Sequence, residues 1–414
     1  MKSLSEQPRI VVLGSFDTKG VEYAFLRDEI RRQGREVITI NAGVLGSTDL
    51  FPVDMEADEV ARAAGADLQS LRAGGDRGKA MSAMAAGAEA VVRRLHAEGR
   101  VAGMIGMGGS GGSSVVTAAM RALPIGVPKV CVSTVAGGNT APYVGLKDVT
   151  LIPSITDVAG LNRISRMILS QAAGAIVGMA NANTRWDVED RPIIAASMFG
   201  NTTQCVDRCR EKLDAAGFEV LVFHATGTGG RTMEALIDDG LVDACLDITT
   251  TEWADTVCGG VFDAGPDRLS AAGRRGIPHL ISPGCIDMAN FGPINSVPQK
   301  YRDAGRTLYS WNPSVTLMRT NVEENRRMGQ VFAEKANAAT GPVAFLIPLR
   351  GVSILDGDGQ PFCDRAADQA MFDALRQNLR AGIRIEEVDA NINDAAFADR
   401  AVEMMLALIR RRPL

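Results

Sequence analysis

The 414-residue sequence predicts an α/β protein: two tandem doubly wound, Rossmann-like parallel-sheet domains facing across a cleft. Three observations predict this fold. A β-loop-α-β pattern occurs twice with the same internal spacing, Phe16 to Gly34 and Phe199 to Gly217. A Gly-x-Pro step enters an apolar run in each half: Gly126-Val127-Pro128 leads to Val130-Cys131-Val132, and Gly276-Ile277-Pro278 leads to Leu280-Ile281. Hydrophobic residues make 46% of the chain, charged residues 22% and aromatics 5%, with 44 Gly. That composition excludes disorder as the main state and suits many tight strand-to-helix turns.

Taken in order, Ile10 to Leu13 is a short strand, and Val21 to Arg32 has apolar residues at helical spacing. Gly34 stops that helix, and Val37 to Ile40 is the next strand. An extra segment, 54–78, has helical and Gly-rich parts. Val101 to Ile105 reads as a buried strand followed by a glycine-rich loop, with a helix from Val115. The second half repeats the scheme: a strand at Ile193 to Ala196, a helix from about Gln204 to Ala216, and a strand at Val220 to Phe223. Further strands follow at Ala244 to Ile248 and Val343 to Ile347, with helices at Glu323 to Ala339 and Ala366 to Leu379. The polar stretch Asn181 to Asp190 separates the halves. The domains expected are 1–185, 190–395 and a terminal helix, 396–414, packing back on the first domain.

Net charge is −5. With neither a basic excess nor stacking aromatics, nucleic acid is not an expected partner. Seven scattered Cys fit reduced thiols in the cytoplasm. The N-terminal apolar run is too late and brief for a signal peptide, and no stretch reaches the ~20 apolar residues of a membrane span.

Gly106-Met107-Gly108-Gly109-Ser110-Gly111-Gly112-Ser113-Ser114 places glycines between a strand and a helix. Backbone N–H groups, a positive helix dipole and the absence of Cβ atoms make such a turn an anion site. It fits the dinucleotide fingerprint, but the next strand ends at Ser133-Thr134 without the expected acid. It fits a P-loop except that Gly112 stands at the Lys position. It also fits a nucleophile elbow with Ser110 as nucleophile, for which His96, His224 and His279 are the histidines available. A turn without ligand is the remaining reading.

Asp17-Thr18-Lys19 follows the first strand. Asp and Thr are good N-caps, whereas Lys19 in a first helical turn opposes the dipole and points to an anionic ligand. Thr134, Gly137 and Gly138 lie in a small-residue turn beside the glycine loop. Asp157 follows the apolar run Val149 to Ile152 and could hold Mg²⁺ or cap a helix. In the second half His224-Ala225-Thr226-Gly227-Thr228-Gly229-Gly230-Arg231 is again a strand end entering a helix. Glu252 and Asp255 are three apart and share a helix face, as acid and base, metal ligands or solvated carboxylates. Asp287, Asn290, Ser353 and Asp356 also follow strands.

Together GSFDTKGVEY, GMGGSGGSS, VSTVAGGNTAPYVG, FGNTTQCV, FHATGTGGRTMEAL, LDITTTEWAD, LMRTNVEENRRMG and GVSILDGDGQPF span nearly the whole chain. They resemble the Tm-one-like ATP-binding family. The resemblance implies two Rossmann-like subdomains around a cleft, ATP with Mg²⁺ as ligand, and a homodimer. It supports Asp17, Thr18, Lys19 and Gly108 to Gly112 as nucleotide-loop positions, and singles out His224, Gly227, Gly229, Gly230, Glu252 and Asp255. Ser113 stands where relatives commonly have Thr, and Asn391 where they commonly have His. The function expected is ATP-Mg binding, with a kinase or ligase acting on a small acidic or carbonyl-bearing metabolite. The alternatives are nucleotide-dependent binding without chemistry and a hydrolase using Ser110.

Overall fold

The computed structural model describes residues 7–183 and 190–410, so 184–189 of the expected boundary lie outside the described residues. The chain divides into two compact units, Met1–Asp187 and Val188–Leu414. The first holds a five-stranded parallel sheet: β1 (Arg9–Gly14), β2 (Val37–Asn41), β3 (Val101–Gly108), β4 (Lys129–Ser133) and β5 (Thr150–Pro153), in the order β2-β1-β3-β4-β5. Side chains alternate across β1. Val11 and Leu13 pack with Ile38, Val91 and Val116, while Ile10 and Val12 pack with Tyr23, Leu26 and Ile176. Both faces are covered by helices, which explains the near-continuous apolar strands. The strand order reverses between β1 and β3, and such a reversal opens a crevice at the carboxyl ends of the strands.

Two helices begin earlier than their apolar periodicity suggests. The first spans Phe16–Arg32, with Lys19 N–H on the Ser15 carbonyl at 3.1 Å. The other spans Ser110–Arg121, so Ser110 to Gly112 are its first turn rather than a loop before it. Gly109, with extended backbone, is its N-cap, and its carbonyl accepts from Ser113 N–H at 2.9 Å. The extra segment forms helices Ala57–Ala63 and Leu68–Ala73 and leads into the long helix Arg77–Ala97.

The second unit repeats the plan. Its strands β6 (Ile193–Met198), β7 (Glu219–His224), β8 (Ala244–Thr249) and β9 (His279–Gly284) are parallel. An antiparallel excursion follows: β10 (Met288–Phe291), β11 (Leu308–Asn312) and β12 (Val315–Arg319), in the order β10-β12-β11. The chain then returns as β13 (Val343–Pro348) and β14 (Arg384–Val388), completing the order β14-β13-β9-β8-β6-β7. Each unit therefore lays its first five parallel strands in the order second-first-third-fourth-fifth. The excursion has no counterpart in the sequence reading, because strands of four or five residues between Gly and Pro carry little periodic signal.

The shared order sets the two glycine turns apart. Gly108 to Gly112 follows a third strand, whereas Gly227 to Gly230 follows a second strand, β7. The true counterpart of the first glycine turn is Thr249 to Glu252, after β8. Of the terminal segment expected to return to the first domain, the described helix Ala395–Arg410 contributes to the second unit's core, where Phe397, Ala401 and Met405 pack with Cys209, Leu213 and Leu280. Among the described residues no helix is long and apolar enough to cross a membrane.

Candidate functional site

A cavity of about 500 Å³ opens in the first unit at the carboxyl ends of β1, β2 and β3. Its walls include Ser15, Asp17 and Thr18 after β1, Gly43 to Leu45 after β2, and Gly111, Gly112 and Val115 in the helix after β3. Leu71, Arg72, Arg77, Met81 and Met84, from the extra segment and the helix it leads into, close the far side. The helix Ser110–Arg121 has no side-chain N-cap and no acid in its first turn. Its first N–H groups precede any intrahelical acceptor and carry the positive end of the dipole.

Glycine is required at this turn. A Cβ on Gly108 would lie 2.8 Å from the Gly112 Cα. A Cβ on Gly111 would lie 3.0 Å from the Met81 Cε and 3.4 Å from an Arg77 Nη. A thioether and a guanidinium therefore rest on the first turn of the helix. Among the described residues the Arg77 guanidinium has no hydrogen-bond or ion-pair partner. Arg77 and Arg72 were not foreseen. No motif marks them, and it is the packing of the extra segment that brings them to the glycines.

Asp17 holds the wall together. Its Oδ2 accepts from Leu45 N–H at 2.8 Å, and its buried Oδ1 lies so near Gly43 that a Cβ there would come within 2.2 Å. Thr18 also lines the cavity, but Lys19 does not. Lys19 leaves helical geometry at φ −131°, and its ammonium donates to the Val158 carbonyl. Ser110 is exposed and is not among the left-handed residues, so the strained backbone of a nucleophile elbow is absent from it. Ser113 is buried, with its hydroxyl 2.6 Å from that of Ser133, and ties the helix start to β4. Thr134 N–H donates to the Gly108 carbonyl at 3.2 Å, and Gly137 and Gly138 form the exposed turn beyond it. Asp157 accepts from Val158 N–H at 2.8 Å, away from the glycine turn, beside a separate small cavity with Glu22 and Ser165.

In the second unit the expected anion site is already filled. Gly227 and Gly230 N–H donate to Glu252 Oε1 at 2.7 and 3.1 Å, and a Cβ on Gly230 would strike that carboxylate. Gly229 has no room for a side chain either, since its Cβ would fall 1.9 Å from the His224 carbonyl oxygen. Arg268, 1% exposed, donates to Glu252 at 2.7 Å and also pairs with Glu234 and Asp247. Burial would raise the Asp247 pKa, but the Arg268 charge and the His279 ring hold it well below the usual carboxylate range. Cys245, Asp247 and His279 offer metal-ligating atoms within 4.8 Å of one another. However, Asp247 Oδ2 already has Cys245 Sγ at 3.3 Å, His279 Nε2 at 2.8 Å and Arg268 Nη1 at 3.1 Å. A metal ion there would confront the guanidinium.

Asp255 turns to other partners, accepting from Asn290 N–H at 2.8 Å and Asn290 Nδ2 at 2.7 Å. Burial raises its pKa to about 8. Glu252 and Asp255 are thus each engaged in separate structural contacts. His224 is exposed at the end of β7, its ring 5.6 Å from that of Phe199. Ser353 donates to Asp287 at 2.7 Å, and Asp356, raised to about 8 by burial, pairs with Arg319 and Arg365.

Two family models cover the chain: the N-terminal domain of the uncharacterised protein family UPF0261 over residues 8–185, and its C-terminal domain over residues 191–409. A UPF0261 protein of Clostridium tetani is 46% identical over 97% of this chain and 99% of its own length. Another, from Rhizobium meliloti, is 47% identical over 95% of this chain and 97% of its own. The ToMV resistance protein of Solanum lycopersicum is 36% identical over 98% of this chain, which spans 56% of that longer protein. The chain belongs to the UPF0261 family, with one unit for each of the family's two domains.

Proposed function

We propose that the first unit binds ATP with Mg²⁺ in the cavity at the β1–β3 reversal. One observation carries this reading: an uncapped, glycine-lined helix N-terminus and the unpaired guanidinium of Arg77 meet on one side of a cavity that also has an apolar wall of Leu71, Met84 and Val115. The first-turn N–H groups and Arg77 suit phosphate oxygens. Leu71, Met84 and Val115 offer an apolar surface for a base. Bound Mg²⁺ would neutralise phosphate charge and keep most of its ligands as water and phosphate oxygen. The resemblance of the chain's motifs to the Tm-one-like ATP-binding family supports the same reading.

The reading extends to a kinase or ligase acting on a small acidic or carbonyl-bearing metabolite. The rival, a nucleotide-dependent binding protein without chemistry, is favoured by the acids of the cavity wall. Asp17 is held by Leu45 N–H, and Asp76 caps the helix Arg77–Ala97 through Lys79 N–H at 3.0 Å. Calorimetry with ATP-Mg is the first test. Arg77→Ala should weaken binding about ten- to hundredfold, the scale of a charge-assisted hydrogen bond. Unchanged affinity would remove this cavity as the nucleotide site. ADP release in the presence of sugar acids, measured on the same preparation, separates enzyme from binding protein.

A further inference from the structure

Among the described residues Tyr309 and Trp311 are the exposed large aromatic side chains, 36% and 43% accessible. Both lie on β11, an edge strand of the antiparallel excursion. Ser310 pairs with Thr316 and Asn312 with Val315, so Trp311 is the extra residue of a bulge. Bulges re-aim a side chain and are common beside functional sites. Here Trp311 is directed against the carboxyl end of β6. Its ring lies 3.5 Å from where a Gly200 Cβ would stand, an ordinary packing distance.

The place is significant for the fold. Gly200 follows β6, and the second unit's strand order reverses between β6 and β8, the position at which doubly wound sheets take ligands. Next to Gly200, Asn201 is fully buried and its Oδ1 has no hydrogen-bond partner. The rings themselves are braced. Tyr309 meets Phe362 edge-on at 6.3 Å, and the Tyr309 and Trp311 centroids are 6.4 Å apart with planes inclined at 47°. The exposed His224 lies at the end of β7, edge-on to Phe199 immediately before Gly200.

We propose that this corner is a subsite for the uncharged ring of a pyranose sugar. Two rings inclined at 47° make a poor platform for a flat base, which stacks on parallel faces. They suit a puckered ring that presents C–H groups in two directions. Among the described residues no cation packs on either ring, so nothing there favours a phosphate. Asn201 Oδ1 is fully buried and lacks a donor, so a water held beneath the sugar, rather than a sugar hydroxyl, would supply it. The subsite belongs to the second unit and stands whether or not the first unit binds ATP.

The test uses the full chain, with saturation-transfer NMR and tryptophan fluorescence against methyl glucoside, methyl galactoside and methyl mannoside, and adenosine for comparison. At least one hexoside should bind saturably, at millimolar levels, and in preference to its epimers. Trp311→Ala should weaken that binding about tenfold or more, while Trp311→Phe retains most of it. Melting curves should be unchanged in both variants, since the side chain is half-exposed. Binding of no hexoside, hexoside binding that survives Trp311→Ala, or binding of adenosine alone would each overturn the proposal. A parallel ATP titration reports the first unit separately.

Discussion

At the scale of single residues, the glycine turn and the residues beside it divide their work by orientation. Ser110 opens the helix at an exposed position, so on the proposed reading its hydroxyl would add one hydrogen bond to a phosphate held by backbone N–H groups. Ser110→Ala should cost about 0.5–1.5 kcal/mol of ATP affinity by calorimetry, and no adduct with a fluorophosphonate probe is expected from a helical serine. Lys19 reverses the inference drawn from the dipole. With its ammonium on the Val158 carbonyl, Lys19→Ala should leave ATP affinity within about twofold and lower stability by about 1 kcal/mol, the second readable by thermal melting. The sequence marked residue 19 as an unusual cation. It could not say that the charge is spent on a carbonyl 139 residues away.

At the scale of elements, Arg268 joins the helix Thr228–Asp238, β8 and the helix Glu252–Cys258 through Glu234, Asp247 and Glu252. Arg268→Met would leave three buried carboxylates without their cation and should destabilise the second unit by about 3–5 kcal/mol in urea unfolding. Asp255 supplies a pH signature. Its folded pKa of about 8 lies above the unfolded value, so the folded state binds the extra proton. The stability this confers is full in acid and is lost as pH rises through 8, by up to about 1.4 kcal/mol per pH unit between the two values. Asp247 acts in the opposite sense and loses its contribution only well into acid, because its folded pKa is depressed. The second unit should therefore melt higher at pH 6 than at pH 8, a slope that Asp255→Asn should flatten. A slope unchanged in that variant would assign the pH dependence elsewhere.

At the scale of the whole molecule, each unit has its own strand reversal and its own buried cores, Val11 with Val91 and Ile10 with Ile176 in the first, Ile281 with Phe332 and Leu280 with Phe397 in the second. Residues 1–187 and 188–414, produced separately, should each unfold cooperatively in thermal melts followed by circular dichroism. A broad, non-cooperative melt for either would show that its core is incomplete alone. The repeated spacings Phe16 to Gly34 and Phe199 to Gly217 anticipate this duplication. The antiparallel excursion and the place of the terminal helix depend on contacts between distant segments, and local periodicity does not encode those.

The sequence by itself determined the fold class, the two halves and the glycine turn as a place where backbone could meet an anion, because these follow from period, spacing and the missing Cβ. Tertiary structure alone decided which turn is open. Gly227 to Gly230 and Gly108 to Gly112 look alike as strings, yet the first is closed by Glu252 from 22 residues away and the second carries Arg77 against it at the wall of a cavity. A carboxylate and a guanidinium reach a helix N-terminus only through the packing of other elements, and no local pattern specifies which charge arrives there.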